Sequence, residues 1–262
     1  MAMTAKALDL GRARVLVAND DGIEAPGLKL LLRVLAPLAG EVWVVAPERE
    51  QSAASHSLTL RRPLRIRRLS ERRFAIDGTP TDSVLLGITE VLKDQPPDIV
   101  ISGVNRGGNL GEDVTYSGTV AAAMEGTLLG VPSIAVSQVY RDGHRVKWGT
   151  AEKWTGRVLK SLTAEPWPAG VLMNVNLPDV TARRVTGIEI TRQGRRKIGS
   201  DLLASIDPRG KPYFWIGAQR REERYRRGTD LEAVRRGAVS VTPLTMDLTH
   251  GPTLRKLRAR LR

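Results

Sequence analysis

Short apolar runs recur along the first two thirds of this chain, and a helical pattern separates most of them from the next. The runs are Arg14–Ala18 (RVLVA), Glu41–Ala46 (EVWVVA), Asp98–Ser102 (DIVIS), Ser133–Ser137 (SIAVS) and Val171–Asn176 (VLMNVN). The helical patterns are Gly27–Leu38, opened by Pro26 at a position suited to a first turn, and a helix capped by Thr81 or Asp82 that runs through Leu92. Thr119–Leu129 and Gly149–Leu162 follow. Strands alternating with helices predict a parallel sheet covered on both faces, a Rossmann-like α/β core of three layers. Leu58–Arg68 alternates apolar and basic residues and predicts a half-exposed strand.

After Pro178 the pattern changes. Arg183–Arg192 and Pro212–Gly217 predict strands of a smaller, more antiparallel region, and Val239–Pro243 is expected to return to it. Tyr213 and Trp215 are expected to pack in a core or an interface. The Arg-rich C-terminus predicts a helix or tail. The expected organisation is a leader at 1–13, a core at 14–180 and an extension with a β-hairpin at 181–262. Met1–Leu10 carries Lys6 and Asp9 and has no continuous apolar region, so it predicts a disordered leader and not a secretory signal. No apolar run approaches the length of a membrane span, and a cytoplasmic location is expected.

Composition narrows the chemistry. The 262 residues contain no cysteine, which excludes disulfides, thiolate metal sites and a cysteine nucleophile. The three histidines, His56, His144 and His250, are far apart and form no zinc-type pair. A metal here must be held mainly by oxygen. The 41 Lys+Arg against 28 Asp+Glu give a formal charge of +13, which attracts anions such as nucleic acid or phosphorylated small molecules. Most of these charges read as a solubilising surface. The basic C-terminal cluster lacks the interleaved aromatics of single-strand binding proteins, so no specific nucleic-acid partner is expected.

In open sheets, ligands gather beyond the carboxyl ends of the strands. Arg14–Ala18 runs into Asn19–Asp20–Asp21–Gly22, Glu41–Ala46 into Pro47–Ser52, and Asp98–Ser102 into Gly103–Asn109. If the strands are parallel, these three clusters share one edge. What converges is two carboxylates, a hydroxyl and an amide, a hard oxygen set suited to magnesium, manganese or calcium. Adjacent aspartates repel unless a cation sits between them. Taken singly, each piece has an ordinary alternative: Asn-Asp-Asp-Gly as a turn, Ser52 as a surface or capping serine, Asn105 as a residue tolerating positive φ. Their joint placement at three strand ends favours a metal.

The following loop adds Gly107, Gly108 and Gly111, which let backbone amides approach an anion, and the side-chain amide of Asn109. Ser117, Gly118 and Thr119 then open a helix, either as ordinary capping or as a phosphate site, and proximity to a metal favours phosphate. Gly78–Asp82 reads as a structural helix start. His56 and His250 stay ambiguous.

These segments resemble the SurE family, the stationary-phase survival proteins that act as 5′/3′-nucleotidases. The matching stretches are VLVANDDGIEAPGL at Val15–Leu28, VVAPEREQSAASHSLTL at Val44–Leu60, GTPTDSV at Gly78–Val84, DIVISGVNRGGNLGEDVTYSGTVAAAMEG at Asp98–Gly126, NVNLP at Asn174–Pro178 and VSVTPLTMDLT at Val239–Thr249. The resemblance implies one divalent metal per subunit at Asp20, Asp21, Ser52 and Asn105. It implies hydrolysis of nucleoside 5′- and 3′-monophosphates, with short polyphosphate as a further substrate, and an oligomerising extension that makes a homodimer or homotetramer. Asn109, Ser117, Gly118 and Thr119 are then the expected phosphate contacts, and Asp20 or Asp21 the group that orients water or acts as base. The extra leader and the short basic tail after Thr249 are departures from the family pattern.

Overall fold

The computed structural model describes residues 7–166, 168–198, 202–216, 220–222 and 225–261. Its centre is a nine-stranded sheet built mostly from the apolar runs. In chain order the strands and helices of the first two thirds are β1 (Arg14–Ala18), α1 (Pro26–Leu35), β2 (Glu41–Pro47), β3 (Ile66–Ser70), β4 (Arg73–Ile76), α2 (Pro80–Leu86), β5 (Ile99–Arg106), α3 (Gly118–Leu128), β6 (Ser133–Gln138), α4 (Trp148–Thr163) and β7 (Val171–Leu177). There follow β8 (Ile188–Ile190), β9 (Arg196–Ile198), β10 (Leu202–Ile206), β11 (Pro212–Ile216), β12 (Arg220–Glu222), α5 (Asp230–Arg235), β13 (Val239–Thr245) and α6 (Gly251–Arg260).

The sheet order is β3-β4-β2-β1-β5-β6-β7-β13-β8. From β4 to β7 every pairing is parallel. Both faces of this stretch are covered. α1 packs beside α4 over one face, around Val15, Val17, Leu28, Leu31 and Leu159. α2 packs beside α3 over the other, where Leu16, Val45, Val84 and Ala122 meet. Alternate residues of β1 therefore feed the two cores, as the strand period of two requires. The approach of α1 to the sheet is close: a Cβ on Gly27 would lie 1.8 Å from the Val104 carbonyl oxygen, so only glycine fits there.

The chain leaves β1 toward β2 and β4, then returns over them to place β5 on the other side of β1. That reversal makes the crevice between β1 and β5 the switch point of the sheet, the place where α/β sheets collect ligands.

Several expectations need correction. The second half of the leader is ordered: Asp9 caps a 3-10 turn at Leu10–Arg12, the Leu8 amide donates to the Thr163 carbonyl at 2.8 Å, and Leu10 is buried. Residues 1–6 lie outside the described residues. Only the end of Leu58–Arg68 is strand, because Pro63 cannot donate to a ladder and Thr59 binds Asp82 instead. The short strand β4 was not anticipated. The helix after it is capped by Thr79 rather than Thr81 or Asp82; Thr79 and Asp82 form a capping box, as a structural reading of Gly78–Asp82 allows. That α-helix stops at Leu86, and a π-helical turn carries on to Val91. Strand β5 runs four residues past Ser102, with a register shift before Asn105. Of Arg183–Arg192, only Ile188–Ile190 is strand.

Val239–Pro243 does not return to the antiparallel region. As β13 it joins the main sheet, antiparallel to β7 and parallel to β8. The smaller antiparallel pieces are the β10–β11 hairpin and the β9–β12 pair. Gly217, at the end of the expected strand Pro212–Gly217, lies outside the described residues, as does Arg262. The basic cluster at Arg61–Arg73 is a solvated, paired face: Arg62 and Arg65 meet Asp77, Arg67 meets Glu48, and Arg73 meets Glu24. Such exposed pairs contribute little stability. No helix among the described residues is long and apolar enough to cross a membrane.

Candidate active site

The acidic pair sits in a turn, and the turn is what presents it. Asn19 Nδ2 donates to the Gly22 carbonyl at 2.9 Å, and Gly22 takes a φ of 97°. The turn is tied to the exit of β2 by two backbone bonds: Ile23 N–H to the Pro47 carbonyl and Gln51 N–H to the Asp20 carbonyl, both 2.8 Å. The turn and metal readings of Asn19–Gly22 are therefore compatible, since one fixes the geometry that the other needs.

Six of the anticipated residues, Asp20, Asp21, Ser52, Asn105, Asn109 and Ser117, line one cavity of about 410 Å³ at the β1/β5 switch point. Asp20 is 5% exposed, and its Oδ1 accepts from the Thr119 hydroxyl. Burial pushes its carboxyl up to about 6, against the pull of the Thr119 hydrogen bond and with help from the Asp21 charge. Burial also raises Asp21, whose Oδ2 accepts from the Arg106 amide at 3.1 Å, and the Glu50 charge adds to the rise. Asn105 Nδ2 donates to the Gly107 carbonyl at 3.0 Å, which leaves the Oδ1 lone pairs for a cation. Ser52 Oγ donates to Glu50 Oε1 at 2.7 Å and likewise keeps its lone pairs.

This set fits a hard divalent cation. One buried and one half-buried carboxylate stand in adjacent positions, and desolvation pushes both toward protonation. Among the described residues no group of three or more His, Cys, Asp or Glu is placed to hold a metal. Ser52 and Asn105 offer neutral oxygens beside the two carboxylates.

Gly118 and Thr119 do not line the cavity. They back Asp20 at the start of α3: Thr119 is fully buried, and a Cβ on Gly118 would lie 2.7 Å from Asp20 Cβ. Ser117 is the N-cap of α3, its Oγ accepting from Val120 N–H at 3.1 Å, so the ordinary capping role is real. Its hydroxyl hydrogen remains available to donate. His56 pairs with Glu125 at 2.9 Å and anchors the loop that carries Ser52. His250 precedes α6 and contacts Thr253 at 2.6 Å; neither histidine lines the cavity.

Sequence reasoning missed Glu50, Arg106, Asp113, Tyr116 and Tyr140, which share the cavity wall. Arg106 is the basic side chain among them, and its guanidinium stacks on Tyr140 with 5.3 Å to the ring centroid. Tyr140 stands two residues beyond the end of β6, so the strand-exit rule applied to that strand too would have found it. Glu50 and Arg106 lie in the same strand-exit clusters as Ser52 and Asn105, and their charge is the signal that marks them.

Residues 15–200 match the family model described as Survival protein SurE. A protein named 5'-nucleotidase SurE from Paramagnetospirillum magneticum is 63% identical over 249 residues, covering 95% of this chain and 96% of that one. A second of that name, from Rhodospirillum rubrum, is 54% identical over 252 residues, covering 95% and 96%. The crystal structure of Sure protein from Aquifex aeolicus superposes with a TM-score of 0.83 at 41% identity, covering 95% of this chain and all of that one.

Proposed function

The chain belongs to the SurE family, and on that premise we propose that it is a 5′-nucleotidase, a phosphatase that releases phosphate from nucleoside 5′-monophosphates. The same site is proposed to accept 3′-monophosphates and short polyphosphate. The observation that carries this function is the convergence of two adjacent aspartates, Asp20 buried and Asp21 half-buried, two neutral oxygen donors and one arginine on a single cavity at the switch point.

One divalent cation, magnesium or manganese with calcium as the alternative, would be held by Asp20, Asp21, Ser52 and Asn105. When bound it supplies neutralisation of phosphoryl charge and a lowered pKa for water. Arg106, held over the Tyr140 ring, faces the anionic substrate. Asn109 and Ser117 donate to phosphoryl oxygens at the positive N-terminal end of α3. Thr119 fixes the rotamer of Asp20. Asp20 or Asp21 orients the attacking water for in-line displacement.

Purified protein should release phosphate from a nucleoside 5′-monophosphate with magnesium or manganese present. Excess chelator should abolish the release, and added metal should restore it. Release that survives chelation would remove the metal from the mechanism. A nucleic-acid-binding protein would instead show steeply salt-dependent DNA or RNA binding without release, and a sensor would bind nucleotide without release.

Residues 14–180 form the proposed catalytic core, and residues 181–262 an extension that makes a homodimer or homotetramer. Supporting this is the β10–β11 hairpin, whose Leu203, Phe214, Trp215 and Ile216 are 64–74% exposed. A lone hairpin is marginal in water, and a monomer gains nothing by exposing such a patch. Of the two roles expected for Trp215, core or interface, its exposure supports the interface. Sedimentation should give a dimer or tetramer, and Phe214→Ser with Trp215→Ser should yield a smaller species.

A further inference from the structure

Strand β7 lies in the parallel part of the sheet, where both faces are covered and apolar residues are expected. Instead it carries Asn174 and Asn176, on one face and with no exposed surface. Ser137 of β6, paired in register with Asn176, is equally buried. Amides and hydroxyls at such positions are costly unless they are hydrogen bonded.

Their polar atoms converge on one residue. Asn176 Oδ1 accepts from the Asn109 N–H at 2.8 Å. Asn174 Nδ2 and Asn176 Nδ2 both donate to the Asn109 carbonyl, at 2.8 and 3.0 Å. Asn109 Nδ2 donates to Ser137 Oγ at 2.8 Å. One of its two hydrogens is thereby used, and the second is left for the cavity that Asn109 lines.

Resting on the nucleotidase reading, we propose that Ser137, Asn174 and Asn176 are positioning residues that preset Asn109 as a hydrogen-bond donor to the phosphoryl group. The two asparagines clamp its backbone at both the N–H and the carbonyl. Ser137 sets the side chain. Accepting from Nδ2, the hydroxyl fixes the plane of the amide and leaves the second Nδ2 hydrogen to be donated to an anionic oxygen. The rival role is a plain tether, in which the buried amides do no more than satisfy the loop backbone.

A double-mutant cycle in the full-length, metal-loaded protein separates the two. Inorganic phosphate is the probe, and calorimetric affinity needs no turnover, so failure of the nucleotidase reading would appear separately in the phosphate-release assay. Ser137→Ala should weaken phosphate binding about tenfold, as loss of support for one charge-assisted bond predicts. Manganese affinity and Tm should stay near those of the parent. In an Asn109→Ala background the same change should alter phosphate affinity less than about twofold. Asn174→Ala, which removes one of the two donors to the Asn109 carbonyl, should behave in the same way if Ser137→Ala folds poorly. Equal effects in both backgrounds, or a loss of Tm and manganese affinity in step with phosphate affinity, would overturn the positioning role.

Discussion

Asparagine in place of Asp20 should make the metal-free protein more stable while it disables the enzyme. Activity should fall by at least about 10²–10³-fold, the range for removing one group that meets charge developing in a transition state. The stability gain follows from burial. The Asp20 carboxyl moves from its ordinary 3.8 to about 6 in the folded protein. Its folded pKa is raised, so the folded state holds the proton more tightly than the unfolded chain. Stability is therefore fully present below about pH 4 and is lost as pH rises through 6. Above that the metal-free protein carries a buried charge costing on the order of 3 kcal/mol. A neutral amide at the same position would carry no such charge.

At pH 8 the metal-free Asp20→Asn variant should melt roughly 5–10 °C above the parent, and at pH 4 the two should coincide. Magnesium or manganese should raise the parent's Tm and leave the variant's nearly unmoved, since only the parent gains from binding to the folded state. Thermal melts at the two pH values, with and without metal, give all four comparisons. A variant less stable than the parent at pH 8 without metal would show that Asp20 is a structural carboxylate, held by Thr119 for the sake of the fold. The expected pattern is that of a functional site kept at the expense of stability.

Much of this site was legible because strand exits are legible. Runs such as RVLVA and DIVIS announce buried parallel strands, and parallel strands send their exits to one edge, which brought Asp20, Asp21, Ser52 and Asn105 together in advance. What was not legible came from contacts between distant segments. Thr119 looked like a phosphate ligand because it opens a helix; its partner, Asp20, lies 99 residues away and turns it into a brace. The ordering of Leu8 depends on Thr163, and the return of Val239–Thr245 to the main sheet depends on an open edge of β7. A strand's pattern gives its type but not its partner. Tyr140 and Arg106 show a third case, where each side chain makes sense only once the other is beside it.

The largest expected loss of stability comes from a residue outside the proposed catalytic core. Arg196 forms an ion pair with Asp113 in which both side chains are buried, 8% and 3% exposed. Asp113 belongs to the 3-10 turn Gly111–Thr115 and lines the active-site cavity. Nearby bonds pull the same two segments together. Gln193 Nε2 donates to the Gly111 carbonyl at 3.0 Å, and the buried Asp230 carboxylate accepts from the Gly111 and Gly194 amides at 2.8 Å each. Residues of the C-terminal extension thus brace the turn that carries Asp113 into the wall of the site. Replacing Arg196 with Met leaves the Asp113 carboxylate buried without its guanidinium, which should cost about 3–5 kcal/mol. Arg196→Met combined with Asp113→Leu removes both charges and should recover most of that loss, because the penalty lies in the uncompensated charge and not in the lost attraction. Urea midpoints of the parent, the single and the double variant measure this directly. Recovery in the double variant identifies the pair as an electrostatic lock on the Gly111–Thr115 turn. A single variant that loses less than about 1 kcal/mol, or a double variant no better than the single, would mean that the backbone bonds through Asp230 hold the wall and Arg196 does not.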